Sequence, residues 1–410
     1  MKVAPARRLH VLVLSWNYPT PAAPQRGLWV ERMCDAASRD ADVQVLVPTP
    51  YVPPLMPLRA LSRFREVPRR ERRGAVAIEC PRVPGSIEYL THGFDARLAF
   101  PRLRAVARRL HRQRPFDLIH AHFIYPDGVV ASRLGRDLGI PVMTSEHAFW
   151  TPWLEDQPRV REQVHAALPG IQLVAPVSDF LRQSIVDYAG GRIVRSAVLP
   201  NVVDDVTFCR GPEARDGREL LFVGLVRRFK RVDVLLRAVA EVRQRMPDVR
   251  LRILSANAFR AYSADRRAMT DLIESLGLRT AVTVVNGADP PAVAAAMRRS
   301  AFVVVSSTRR ETFCSVAAEA LACGTPLVVT RCGGPEEFVT PDDGVMVEPD
   351  DPSALAAGIL QAFERRGSFD ESAIRARIVG RFGRAAWCDR AMAVYGDLVQ
   401  QYGTETHASH

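Results

Sequence analysis

Short apolar runs alternate with helix-periodic stretches along most of this chain, and that alternation leaves few folds open. LHVLVLSW, VQVLVP, Val76 to Glu79, DLIHAHF, PVMTS and QLVAPV read as strands. Helical patterns at Arg26 to Arg39, about Asp95 to Gln113, Asp127 to Leu138, and one opened by Ser178 and Asp179 fall between them. Strands that return through helices run parallel, so the pattern predicts a doubly wound α/β sheet. The chain then turns polar and aperiodic from Asp204 to Glu219, and a second α/β set begins with ELLFVG and VDVLLRAVAEVRQRM. It continues with VRLRIL, a helix within Asp265 to Leu276, VTVV and the strand Ala301 to Val305. At 410 residues the chain exceeds the size at which single cores stop growing, so two domains are expected, 1–204 and 205–384, with the linker at the polar break.

A hydrophobic content of 47% and a charged content of 25% describe an ordinary soluble globular protein. The seven cysteines are odd in number, scattered and without a C-x2-C pair, which predicts a reduced, cytoplasmic setting and no structural metal. Leu9 to Leu14 follows two arginines but is short and leads into Trp16, Asn17 and Pro19 without a small-residue cleavage site. It reads as a first strand rather than a signal peptide. No run approaches the ~18 apolar residues of a membrane span.

The stretch Ser306 to Gly334, SSTRRETFCSVAAEALACGTPLVVTRCGG, carries the chemistry. The strand before it ends in a polar loop, and Phe313 to Cys323 reads as an Ala- and Leu-rich helix, which puts Glu311 just before the helix and Glu319 inside it. Free amides at such a helix start favour an anion, and a carboxylate there suits a ligand that also carries hydroxyls. Two acids at that spacing, followed by AxxxGTPLVVT and GGPEEFV, resemble the E-x7-E signature of glycosyltransferase family 4. That resemblance implies a GT-B fold, two Rossmann-like doubly wound domains facing each other across a cleft. Residues 1–204 would bind the acceptor and 205–384 the nucleotide-sugar, with 385–410 forming a closing helix that returns to the first domain, and a tail.

Smaller motifs take positions within the resemblance. In YPTPAAPQRGLWVERM, Gly27 matches a glycine that lets backbone approach the donor phosphates or acceptor, or it is simply a turn glycine. In FDLIHAHFIYPDG, His122 matches the histidine placed against the donor sugar. His120 shares its strand face, so one of the two is structural. His147 in SEHAF is a further acceptor-side candidate, its alternative role a strand-end hydrogen bond. Asn201 and Asp204 match a segment in VLPNVVDDVTF, with Val202 where glycine is frequent. Lys230 matches the lysine that contacts the donor diphosphate, while Leu225 stands where an arginine is usual. Arg227 is therefore expected, ahead of Arg228, to supply the missing charge, since guanidinium grips phosphate bidentately. Phe313, Cys314, Ser315 and Val316, at the start of the helix, would line the donor, and Glu337 would position a loop.

The implied activity is retaining transfer from a nucleoside-diphosphate sugar, which serves as substrate and not cofactor, to a glycan or lipid-linked acceptor in polysaccharide or glycolipid assembly. Lys230, Glu311 and His122 would be its catalytic groups. Glu311 would hold sugar hydroxyls near the anomeric centre and Glu319 the ribose diol, with no conventional nucleophile. Nothing resembles the paired aspartates of metal-dependent transferases, so no metal is expected. Other GT-B activities, an epimerase or a phosphorylase, and a silent sugar-nucleotide or polyanion-binding module are the alternatives. The net charge is +11, with seven arginines from Arg59 to Arg73 and six from Arg102 to Arg114. That charge suits either a solvated face or an anionic membrane surface at the inner leaflet. No recognised motif accompanies it for nucleic acid, and none is expected as a partner.

Overall fold

The computed structural model describes residues 7–52, 62–84, 93–149, 156–255 and 263–408. The chain divides into two compact units, Met1–Val202 with Ala385–His410, and Val203–Arg384. In the first, β1 (His10–Leu14), β2 (Asp42–Leu46), β3 (Thr49–Pro50), β4 (Arg70–Arg73), β5 (Val76–Glu79), β6 (Arg82–Val83), β7 (Leu118–His122), β8 (Val142–Glu146) and β9 (Leu173–Pro176) follow in order. Between them lie α1 (Leu28–Ala37), α2 (Asp95–Gln113), α3 (Val129–Leu138), α4 (Pro158–Ala167) and, after β9, α5 (Asp179–Ala189). The main sheet has the order β4-β5-β2-β1-β7-β8-β9, and β3 pairs separately with β6. Leaving the antiparallel β4 aside, this is the Rossmann order, which reverses between β1 and β7.

The second unit repeats the plan. Its strands are β10 (Asp216–Val223), β11 (Arg250–Ser255), β12 (Val282–Asn286), β13 (Ser300–Val305), β14 (Leu327–Thr330) and β15 (Gly344–Val347). Its helices are α6 (Val232–Arg245), α7 (Ser263–Ser275), α8 (Pro290–Arg299), α9 (Ser315–Ala322), α10 (Pro352–Glu364) and α11 (Glu371–Phe382). All pairs are parallel in the order β12-β11-β10-β13-β14-β15, reversing between β10 and β13. Every residue of β13 is buried, as a strand covered on both faces must be.

The last helix, α12 (Arg384–Ala408), places Trp387, Ala391, Tyr395 and Leu398 in the first unit's core beside Val11, Val13 and Met33. Their spacing of four, four and three residues is one helix face. The Trp387 indole donates to the carbonyl of Pro200 at 2.7 Å, so the large ring is buried without an orphaned N–H.

Three expectations change. The linker does not extend to Glu219, because β10 begins at Asp216, and Val203 already donates to Phe382 of its own unit at 2.8 Å. Part of the arginine-rich segment is a strand: β4 pairs antiparallel with β5, and Arg73 bridges Glu31 at 2.6 Å and Glu71 at 2.7 Å. Part of the arginine-rich segment of α2 is paired rather than a free solvated face. Arg104 and Arg108 both bond Asp137, at 2.6 and 2.5 Å, and Arg109 bonds Glu79 at 2.5 Å. The Pro-rich segment after β2 includes the short β3, and its later part lies outside the described residues. Among the described residues no helix is long and apolar enough to cross a membrane.

Candidate active site

Ligands of open α/β sheets lodge beyond the carboxyl ends of the strands where the order reverses. In the second unit those ends belong to β10 and β13. The loop after β10 runs into a 3-10 turn, Arg228–Lys230, and the loop after β13 reaches α9. Lys230 Nζ lies 2.5 Å from Glu311 Oε1, and Ser307 Oγ donates to the same oxygen at 2.5 Å. Burial works against the Lys230 charge, but the Glu311 carboxylate outweighs it and holds the ammonium above its usual pKa. Burial, then the same carboxylate, pushes the Cys332 thiol up to about 12 and the Cys314 thiol well above its ordinary value. Both therefore stay protonated at neutral pH.

Backbone contacts fix Glu311. Its N–H donates to the Cys332 carbonyl at 2.9 Å, and its carbonyl accepts from Gly334 at 2.7 Å. A Cβ on Gly334 would stand 2.6 Å from the Thr312 carbonyl oxygen, so only glycine lets the two loops touch. Cys314 sits at φ 67 and starts α9 two residues later than the expected Phe313. The Phe313 ring is buried, 5.4 Å from that of Phe338 and 5.2 Å from that of Phe382. Ser315 and Val316 are half-buried on the first turn of α9, and Glu319 follows a turn later, 8% exposed. Arg227 is half-buried in extended backbone and Arg228 is exposed. The next cation, Arg231, is engaged by Asp233 and Asp350. The carboxylate that caps the turn at Gly333 is Glu336, at 3.0 Å.

In the first unit the reversal lies at β1 and β7. Gly27 opens α1 at φ 69, and a Cβ there would fall 2.0 Å from the carbonyl oxygen of Asn17. The backbone approaching this glycine is the chain's own. His120 and His122 are both 1% exposed at the end of β7. His120 has both nitrogens engaged, Nδ1 with Tyr395 Oη at 2.7 Å and Nε2 with Ser145 Oγ at 2.8 Å, which makes it the structural member.

His122 differs. Its Nδ1 meets His147 Nε2 at 3.0 Å, and His147 Nδ1 meets Asn201 Oδ1 at 3.0 Å. Burial lowers the His147 pKa to about 4 and that of His122 well below 6.5, so both rings are neutral near pH 7. An amide oxygen only accepts, so His147 carries its hydrogen on Nδ1, and its Nε2 accepts from His122 Nδ1. The remaining His122 nitrogen, Nε2, is left with a lone pair, and among the described residues nothing meets it. His147 thus links His122 to Asn201.

Two segments of the chain match known families: residues 208–378 match Glycosyl transferases group 1, and residues 5–206 match Glycosyltransferase Family 4. D-inositol 3-phosphate glycosyltransferase 2 of Catenulispora acidiphila is 30% identical over 322 residues, covering 71% of this chain and 73% of that protein. The chain belongs to glycosyltransferase family 4. Another relative, the D-inositol 3-phosphate glycosyltransferase of Thermobifida fusca, is 32% identical over 62% of each protein. This family 4 chain has the GT-B fold. It is similar to sucrose-phosphate synthase from Thermosynechococcus elongatus, with TM-score 0.75 and 19% identity over 96% of this chain and 100% of that one. Anabaena HepE, solved with UDP and glucose, gives TM-score 0.70 at 19% identity over 95% and 100%.

Sequence reasoning on this family 4 chain missed Ser307, Asp127 and Glu146. Glu146 accepts from the amides of Ile124, His147 and Ala148 at 2.8–3.0 Å, tying the loops after β7 and β8 together. Asp127 is fully buried and accepts from Trp16 N–H at 2.7 Å. Burial drives its pKa well up. An acid within two residues of a strand end was the available signal for Glu146; Asp127 read as a helix start.

Proposed function

We propose that this family 4 protein transfers a sugar, with retention and without a divalent metal, from a nucleoside-diphosphate sugar to a hydroxylated acceptor. The observation that carries the reading is the Lys230 ammonium held 2.5 Å from Glu311 at the switch point of the second unit, beside the first turn of α9. A diphosphate leaving group gains charge as its bond to the sugar breaks, and a pre-placed ammonium with helix amides stabilises that charge without reorganisation. Arg227 supplies the second cation that Leu225 does not. Glu311 and Ser307 hold sugar hydroxyls, and Glu319, an acceptor with two oxygens, takes the ribose diol. His122 offers a lone pair, which suits a hydroxyl that donates. No protein nucleophile attacks the sugar; a leaving phosphate oxygen takes the acceptor proton on the face it departs from.

HepE was solved with UDP, which makes uridine the first base to test. The relatives' names make D-inositol 3-phosphate the first acceptor, with glycan and lipid-linked acceptors next. The protein is incubated with UDP-glucose, GDP-mannose and ADP-glucose, with and without acceptors, in the presence of EDTA, and the products are followed by proton NMR. Acceptor-dependent release of nucleoside diphosphate and a product of the donor's own anomeric configuration are expected, unchanged by chelation. Donor conversion without acceptor would replace transfer with epimerisation. An inverted product, or activity abolished by EDTA and restored by manganese, would overturn retention or metal independence respectively.

A further inference from the structure

The two arginine-rich segments converge on one hollow of the first unit. It has a volume of about 600 Å³ and is walled by Arg69 just before β4, Arg70 at its start, and Arg102, Arg109 and Arg112 from α2. The three helix arginines are seven and three residues apart, so they share one face. Among the described residues Glu79 is the single carboxylate of the lining. Arg109 spends one nitrogen on it, Nη2 at 2.5 and 2.7 Å from the two oxygens, and Arg70 Nε stands 3.6 Å away. No carboxylate among the described residues bridges Arg69, Arg102 or Arg112, and none meets Nε or Nη1 of Arg109. By contrast, the neighbouring Arg104 and Arg108 on the same helix are both bonded to Asp137.

Five guanidinium groups against one carboxylate repel one another unless an anion joins them. Guanidinium donors are planar and paired, and they match the oxygens of a phosphate better than a single carboxylate edge does. Cys80, Pro81, Ala105 and Val106 complete the lining and give a small organic body an apolar surface. The hollow is of ligand-site size, on the scale of ~300–1,000 Å³. It lies at the β4-β5 edge of the sheet, with β2 and β1 between it and β7, and so is separate from the strand reversal where His122 sits.

The geometry points to a phosphate-binding site in this hollow, for a phosphate monoester or diphosphate group carried on a small organic body or on a lipid headgroup. It does not depend on the proposed transfer reaction.

Calorimetric titration of inorganic pyrophosphate into the wild-type protein, Arg102→Gln/Arg112→Gln and Lys230→Ala tests it, with flotation on phosphatidylcholine vesicles with and without phosphatidic acid as a second arm. Both helix arginines are exposed, so the double variant keeps its fold, which its melting temperature checks. Pyrophosphate affinity is expected to fall roughly tenfold or more in the double variant, since bonds to charged partners are the strong ones. Lys230→Ala is expected to retain the groove component. Vesicle binding that needs phosphatidic acid and is lost in the double variant would identify the lipid as the source. Pyrophosphate binding alone would identify a soluble phosphate. Equal behaviour of wild-type and double-variant protein in both arms would overturn the site.

Discussion

Turnover is expected to fall by roughly two to three orders of magnitude in Lys230→Ala, the range seen when one pre-placed donor to a developing oxyanion is removed. Among the described residues the lysine is the one cation that the second unit's switch point holds against Glu311, and burial makes its electrostatic effect larger than it would be in water. Glu311→Gln should follow closely. It keeps the shape of the side chain but removes the charge that orients the ammonium and two of the acceptor sites offered to sugar hydroxyls. Glu319→Gln should act differently, raising KM for the donor more than it lowers kcat, because a ribose contact is made equally in ground and transition states. Steady-state kinetics of the three variants separates these patterns. Transfer within a factor of two of wild type in both Lys230→Ala and Glu311→Gln would remove the assignment.

Acidification is expected to destabilise the first unit well before its solvent-exposed carboxylates protonate. His120, His122 and His147 are buried neutral, with pKa values lowered by burial to about 3 for His120 and about 4 for His147, and well below 6.5 for His122. A folded-state pKa below the unfolded one means that the unfolded chain takes up protons the folded chain refuses. The stability these rings allow is therefore complete above pH 6.5 and is lost as the pH falls from there towards 4 and below. Each such histidine costs about 1.4 kcal/mol per pH unit in that window. Three rings at pH 5 would remove roughly 6 kcal/mol on the same basis, comparable with the whole stability of many domains. Asp127 works in the opposite sense, since its raised pKa favours the acid side, but it is one group against three. Urea denaturation from pH 7.5 to 5 should show this slope, and His147→Gln should reduce it by close to one proton. A flat profile across that interval would contradict the neutral chain from Asn201 to His122.

The fold class was legible because parallel strands buried on both faces are written as near-continuous apolar runs, and β1 and β13 are of that kind. Lys230 and Glu311 were legible through the resemblance of their motifs to glycosyltransferase family 4, and the pairing of β10 with β13 brings together these residues, 81 apart in sequence. β4 was not legible: RERR has no apolar side, and its strand form comes from edge pairing and from ion pairs to Glu31 and Glu71. Which of His120 and His122 keeps a free nitrogen depends on Tyr395, 275 residues away. The pairing of Arg104, Arg108 and Arg109 on α2 was hidden for the same cause, since Asp137 and Glu79 lie outside the segment. The start of α10 could have been found, because Asp351 caps it and Pro352 occupies its first turn.

Calorimetric titration of uridine, guanosine and adenosine mono- and diphosphates into the wild-type protein, Lys230→Ala, Arg227→Ala and Arg228→Ala tests most directly whether the second unit's switch point is a donor-diphosphate site. One base should bind, with the diphosphate preferred. That preference should collapse in Lys230→Ala, narrow by roughly one to two orders of magnitude in Arg227→Ala, and change least in Arg228→Ala. Failure of all three diphosphates to bind, or an unchanged diphosphate preference in Lys230→Ala, would contradict the assignment.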